Sequence, residues 1–333
     1  MNAKHIGGVR IGAVRIGGIL LGGLLAIGGA ATAQGLGVGR GIDHVGMLVR
    51  AENFDADSRT FARLGFSETP VLTAPGGIKN RLIWFRDLSY LELDTFTELN
   101  DSTAPFLDFL AHHEGAKFYG TEVLDAAKAV AFLTGAGYPN VGPIPAGPLT
   151  VAATGQVVGQ TPLWSLIILT SHLAPDNSNF FLDYNEAQVR QMFVQVPSLA
   201  PRPHANTAQK INNLWLVVSD LDAAMEYYQG LGFDVRPLRR KIGYLGARGA
   251  EVRFNTQTLD LLVPDGPGLV ADFAADRGEG VLGVSLKVRD LDVAHDLVER
   301  NTGLTLDTFT YQGQDRFLIP ASLTHGVLIE MVE

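Results

Sequence analysis

Four acidic residues, placed alike in four similar segments, constrain the fold of this chain more than any other feature. Asp55, Asp125, Asp222 and Asp292 each end an apolar run and open a stretch of helical periodicity. The segments are HVGMLVRAENFDADSRTFARLGF from His44, FYGTEVLDAAKAVAFLTGAGY from Phe118, NLWLVVSDLDAAMEYYQGLGF from Asn213 and GVSLKVRDLDVAHDLVERNTGL from Gly283. Each reads as a strand, a capped helix and a turn that closes on Gly and an apolar residue. The four acids stand where a side-chain oxygen satisfies free N–H groups at a helix start, so all four are expected to be N-caps rather than catalysts. Asp55 to Asp125 is 70 residues and Asp222 to Asp292 is 70 again, while Asp125 to Asp222 is 97. The chain is therefore a duplicated pair of modules.

After each helix come short apolar stretches between turn residues, such as RLIWFRDL and SYLELDTF, or KIGYLGA, AEVRFNT and TLDLLVP. They predict three antiparallel strands per module, hence an α+β fold of four βαβββ modules. With 46% hydrophobic residues in 333, the chain can bury the cores of two such domains. The expected division is a first domain over 41–197, a linker over 198–208 (SLAPRPHANTA, rich in Pro and small polar residues) and a second domain over 209–333.

The first 33 residues carry Lys4, Arg10 and Arg15 but no acid, then an apolar stretch from Ile16 to Ala30 and Ala31-Thr32-Ala33. This is the pattern of a signal peptide cleaved near Ala33, and it predicts export to a periplasmic or extracellular space. The stretch is short and glycine-diluted for a permanent anchor, so no membrane association is expected after cleavage. Loss of the three bases leaves 23 basic against 35 acidic residues, a net charge of −12. So acidic a chain is not expected to bind nucleic acid, and a small molecule is the expected partner. The absence of cysteine excludes a disulfide framework and a lipidated cysteine.

DLDAAMEYYQGLGF, YLEL and the closing GVLIEMVE resemble the vicinal oxygen chelate superfamily, in its glyoxalase-like branch, over nearly the whole mature chain. The resemblance implies two glyoxalase/bleomycin-resistance/dioxygenase-like domains, each a pair of modules whose curved sheets enclose a cleft. Lyases, isomerases, dioxygenases and drug-binding resistance proteins share that fold. It also implies metal ligands on the first and last strands of each module, where a divalent ion chelated by the substrate's oxygens would act as a Lewis acid.

Matched residue by residue, module one offers His44 and Glu92. Module two offers Asp183 on its last strand, and on its first strand either Ala116, which cannot ligate, or Glu114, with His113 beside it. His44, Glu92 and Asp183 are thus the candidate metal ligands, a set suited to a hard or borderline divalent ion. Glu92 is also the candidate catalytic base, should burial raise its pKa. Equally, His44 can be a satisfied cleft histidine and the carboxylates hydrogen-bonded strand ends.

The corresponding positions of the second domain are Asn213, Asp260, Gly283 and Glu330, with no imidazole. This argues against an extradiol dioxygenase and gives that domain a structural or covering role. The carboxylates follow their helix acids by 37 (Asp55 to Glu92), 38 (Asp222 to Asp260) and 38 (Asp292 to Glu330) residues, but by 58 in module two. The excess falls in PNVGPIPAGPLTVAATGQVVGQ, as a lid or rim over the cleft or a plain surface excursion. His172 could line the cleft. His112 and His113, if on a strand, face opposite ways. His325 stands in a turn, GLGVGRG is a flexible leader, and Trp84, Trp164 and Trp215 are expected to fill cores.

The expected function is that of an exported glyoxalase-like protein, a metal-dependent lyase or isomerase acting on a small oxygen-bearing substrate in the first cleft. The alternative is a metal-independent small-molecule binding or resistance protein.

Overall fold

A computed structural model describes residues 35–170 and 179–333. Residues 1–33, read above as a signal peptide, and His172 lie outside the described residues. Module one contains β1 (Val38–Leu48), α1 (Phe54–Arg63), β2 (Leu72–Ala74), β3 (Ile78–Trp84) and β4 (Tyr90–Phe96). The connecting α2 (Ala104–His112) leads to module two, with β5 (Gly115–Val123), α3 (Ala126–Gly135), β6 (Asn140–Pro145), β7 (Leu149–Val151), β8 (Gln156–Val158), β9 (Trp164–Leu169) and β10 (Asn179–Tyr184). After α4 (Glu186–Gln195), module three comprises β11 (Ala208–Val217), α5 (Leu221–Gly230), β12 (Asp234–Pro237), β13 (Ala247–Arg253) and β14 (Thr258–Pro264). The second connector is α6 (Leu269–Arg277), and module four comprises β15 (Gly280–Val288), α7 (Leu291–Thr302), β16 (Thr308–Tyr311), β17 (Gln314–Ile319) and β18 (Leu328–Val332).

Each pair of modules forms one sheet, ordered β6-β9-β10-β5-β1-β4-β3-β2-β7-β8 in the first half and β12-β13-β14-β11-β15-β18-β17-β16 in the second. The first strands meet antiparallel at the centre of each sheet, and each runs parallel to its own module's last strand. This is the expected α+β architecture of two paired-module domains.

Strand alternation sends Val45, Met47 and Val49 into the helix-side core and leaves His44 and Gly46 on the concave face. The helix-side core is one continuous cluster drawn from both halves, including Val45, Tyr119, Leu214 and Val284. The buried hydroxyls of Tyr119 and Tyr228 bond to each other across the halves. The segment read as a linker belongs to this packing. His204 is buried between the backbone of Ser67 and Trp84, and Asn206 donates to the Leu64 carbonyl.

The helix caps differ from expectation in three modules. Asp125 caps α3 by accepting from the Lys128 N–H, as expected. Asp220 and Asp290, not Asp222 and Asp292, cap α5 and α7, and the expected pair sits in the first turn instead. In α1 the N-cap is Asn53, and Asp55 pairs with Arg81 at 2.6 Å. The strand-to-helix turn of module one is two residues longer than the others: Val49 precedes its cap by four residues, whereas Val123, Val218 and Val288 precede theirs by two. Aligning the modules on Asp55 therefore shifts the first strand.

Of the readings open for the insertion in module two, the rim is the one its pairing fits. β7 pairs with β2 at the opposite end of the sheet from β6. Only residues 146–148 separate β6 from β7, four Cα steps that span at most about 14 Å. The two ends of the sheet are therefore drawn together, and the hairpin closes the rim of the first cleft. The GLGVGRG leader is likewise partly structured, since β1 begins at Val38 and Arg40 makes a two-pronged ion pair with Glu122.

Candidate functional site

Counting five residues back from Val49, Val123, Val218 and Val288 gives His44, Phe118, Asn213 and Gly283 as equivalent first-strand positions. The ladders then pair Gly46 with Glu92, Gly120 with Phe180, Trp215 with Asp260 and Ser285 with Glu330. This register corrects both positions expected of module two, which presents Phe118 and Phe180 where module one presents His44 and Glu92. Gly46 and Gly120 make the arrangement symmetric: a Cβ on Gly46 would collide with the Phe118 ring, and one on Gly120 with the His44 ring.

The other residues expected near the site lie elsewhere. Asp183 points to the helix side, where its Oδ2 accepts from the Ala126 N–H at the start of α3 at 2.8 Å. Ala116 is in the core, and His113 follows the last turn of α2, with His112 on the helix rather than on a strand. Glu114 anchors the start of α1 through Arg50 N–H and Asn53 Nδ2, and pairs with His325 Nδ1 at 2.8 Å. Burial works against its charge, but these hydrogen bonds hold the Glu114 carboxyl below the usual range.

What the first cleft does assemble is a short polar chain. Asp43 Oδ1 lies 2.7 Å from His44 Nδ1, and His44 Nε2 lies 3.5 Å from Glu92 Oε2. Tyr184 donates to the same Asp43 oxygen at 2.8 Å, and Asn80 Nδ2 donates to Glu92 Oε1 at 2.6 Å. The His44 ring stacks on Tyr90 with centroids 4.6 Å apart and meets Phe118 and Phe180 edge-on. Burial raises the Glu92 pKa, with Asp43 adding to the effect and His44 and Asn80 opposing it. Asp94, buried beside Glu92, is pushed well above the carboxylate range by burial and by the Glu92 charge.

Asp43, Asn80 and Tyr184 were not legible as site residues. Asp43 neighbours His44 in sequence, and plain alternation would place it on the other face. A bulge between Ile42 and His44 brings it alongside.

These residues do not fit a chelated divalent ion. A catalytic metal site of this kind needs three protein ligands or so. Here the equivalent positions supply two donors and two phenyl rings, and among the described residues no group of three His, Asp or Glu side chains is arranged to hold a metal.

The cleft around the polar chain is largely filled. The hairpin and α4 press Leu149, Val158, Val189 and Met192 against Trp84 and Tyr90 at one end. At the other, α2 packs Phe106 and Leu110 beside Leu48, Phe96 and Phe118. Side-chain exposure is 1% for Asp43 and 3% for His44 but 15% for Glu92, so Glu92 is the member of the chain that a solute can reach.

A family model described as a glyoxalase-like domain matches residues 42–218, and the chain belongs to that family. Its fold is that of the vicinal oxygen chelate proteins. Among solved structures, a hypothetical protein from Staphylococcus aureus aligns over 87% of this chain and 97% of its own with a TM-score of 0.52 at 12% identity, a likeness of fold alone. Methylmalonyl-CoA epimerase from Mycobacterium tuberculosis is 25% identical over 38% of this chain and 89% of its own, with a TM-score of 0.34. No curated protein matches the chain.

Among the described residues no helix is long and apolar enough to cross a membrane.

Proposed function

We propose that the first half is a proton-transfer site for a small oxygen-bearing molecule, of the lyase or isomerase kind, working through protein side chains rather than a chelated metal. Glu92 is the base, His44 its partner for the proton, and Asp43 holds the imidazole in one orientation. The observation that carries this reading is the Asp43–His44–Glu92 chain, with contacts of 2.7 and 3.5 Å and Glu92 raised by burial. A carboxylate shifted toward neutrality both takes and returns a proton more readily near neutral pH. Sequestering an aromatic compound here has less support, because Trp84, Tyr90, Met192 and Phe193 already fill the apolar end.

The test is deuterium exchange, followed by NMR, of a panel of small 2-oxo, 2-hydroxy and 1,3-dicarbonyl acids and esters. The purified protein should exchange a carbon-bound proton in at least one of them, and Glu92→Gln should abolish that exchange. Wild-type rates in Glu92→Gln, or no exchange in any compound, would end the proposal. A metal bound one-to-one and lost in His44→Ala would replace it with the metal-dependent version.

We propose further that the chain is exported, with cleavage after Ala33. The basic start, apolar middle and Ala-Thr-Ala ending support this. N-terminal sequencing of the mature protein should read Gln34 first.

A further inference from the structure

The second half, whose sequence suggested a structural role, holds a cavity of about 250 Å³ on its concave face. Its floor is Asn213, Asp260, Ser285 and Glu330, its apolar walls include Trp215 and Tyr244, and Arg316 closes one side. Four of these groups satisfy one another. Glu330, 1% exposed, accepts from Tyr244 Oη at 2.7 Å, Ser285 Oγ at 2.5 Å and Arg316 at 3.0 Å. Arg316 also donates to the Tyr311 carbonyl at 2.9 Å.

Asp260 is different. It is 4% exposed, and its Oδ2 accepts from Asn213 Nδ2 at 2.6 Å. Its Oδ1 has no donor, and neither has Asn213 Oδ1. Because Asn213 must turn its amide N–H toward the carboxylate, its carbonyl oxygen is necessarily the end left over. Two adjacent buried acceptors without donors are costly in a folded protein, on the order of 1–3 kcal/mol each, so what would satisfy them needs an answer.

We propose that this cavity binds a small primary ammonium compound, whose N–H groups supply the donors that Asp260 Oδ1 and Asn213 Oδ1 lack and whose apolar body lies against Trp215 and Tyr244. Both orphaned groups are acceptors, so the ligand must donate. Its charge follows from the lining: the Arg316 guanidinium is already engaged by Glu330, and Glu251 at the rim pairs with Arg253. Asp260 is thus the buried carboxyl with no cation beside it. Burial accordingly pushes Asp260 up to about 7. An ammonium ion would provide the missing charge, and aromatic walls suit its apolar and cationic parts alike. An anion would meet Asp260, Glu330 and Glu251 and be repelled.

The proposal is independent of proton transfer in the first cleft. Its test is calorimetric titration of the full protein with benzylamine, benzyl alcohol, benzoate and benzyltrimethylammonium. Benzylamine should bind about tenfold or more tightly than each of the others, which lack its charge, have the wrong charge, or lack its N–H donors. Asp260→Asn, nearly isosteric, should retain the wild-type fold by circular dichroism and weaken benzylamine about tenfold, and Asn213→Ala should weaken it several-fold. Wild-type binding should strengthen as the pH rises from about 6 to about 8 and Asp260 ionises. The other titratable groups lining the cavity are Glu251, Glu330, Arg316, Tyr244 and Tyr311. Undetectable benzylamine binding, equal binding of the alcohol or the quaternary ion, or undiminished binding by Asp260→Asn would each overturn the proposal.

Discussion

In the first half, α4 and the β7–β8 hairpin press Met192, Val158 and Leu149 onto Trp84 and Tyr90 across the concave face. In the second half α6 covers one end in the way α2 does in the first, but no described element corresponds to α4 or the hairpin, and a cavity of about 250 Å³ stays open. The two sheets share strand order, parallel first-to-last ladders and equivalent concave positions. Their chemistry nevertheless separates. The filled cleft keeps the imidazole and shows one carboxylate to solvent, whereas the open cleft has no imidazole but buries a carboxyl that lacks a counter-charge. Inserted elements, rather than the repeated scaffold, decide how much room each cleft leaves for a ligand.

The comparison is most directly broken at Trp84. If the first cleft is packed as tightly as its contacts indicate, Trp84→Ala should cost about 3–5 kcal/mol in urea unfolding, since a large buried ring leaves a void its neighbours cannot fill. A loss below about 1 kcal/mol would mean that the first cleft is as open as the second. In the second cleft the corresponding weak point is electrostatic. Arg316→Ala leaves Glu330 buried without its cation, and a loss of about 3 kcal/mol is expected, with Arg316→Lys partly restoring stability.

Proton linkage gives the next effect. Asp260 rises from 3.8 to about 7 on folding. Between those values the folded chain holds a proton that the unfolded chain has released, so stability should fall as pH rises through the window, by up to about 1.4 kcal/mol per pH unit. Glu92 and Asp94 are also raised and act in the same direction from the first half. Asp260→Asn should therefore flatten part of the slope, and an unchanged slope would place the whole linkage in the first cleft. The smallest effects should not distinguish the halves at all. Asp125→Ala and Asp220→Ala each remove a cap from an equivalent helix, and each should lower the melting temperature by about 2–4 °C.

Much of the fold was legible because the period of the chain is carried by local physics. Apolar alternation, helix periodicity and turn glycines recur in each module, and none depends on a distant contact. The site was less legible, and for identifiable reasons. His44 and Glu92 were found because both lie in well-marked strands whose equivalents share one register. Asp183 was misplaced because the insertion in module two breaks the 37–38-residue spacing that marks the last strand elsewhere, and its odd offset from Phe180, the residue that faces the cleft, puts its side chain on the other face of the strand. Asp43 joined the site through a bulge, and Asn80 and Tyr184 arrive from strands well separated in sequence.

By itself, then, the sequence determined the four modules, their pairing into two domains and the two central polar residues of the first cleft. Only the tertiary structure decided that Phe118 and Phe180 complete that cleft, that α4 and the hairpin close it, and that Asp260 in the second is left without a donor. The reason is the reach of the interactions. Periodicity and capping act within a few residues, whereas filling a concavity or orphaning a buried oxygen depends on which distant segments arrive, and which do not.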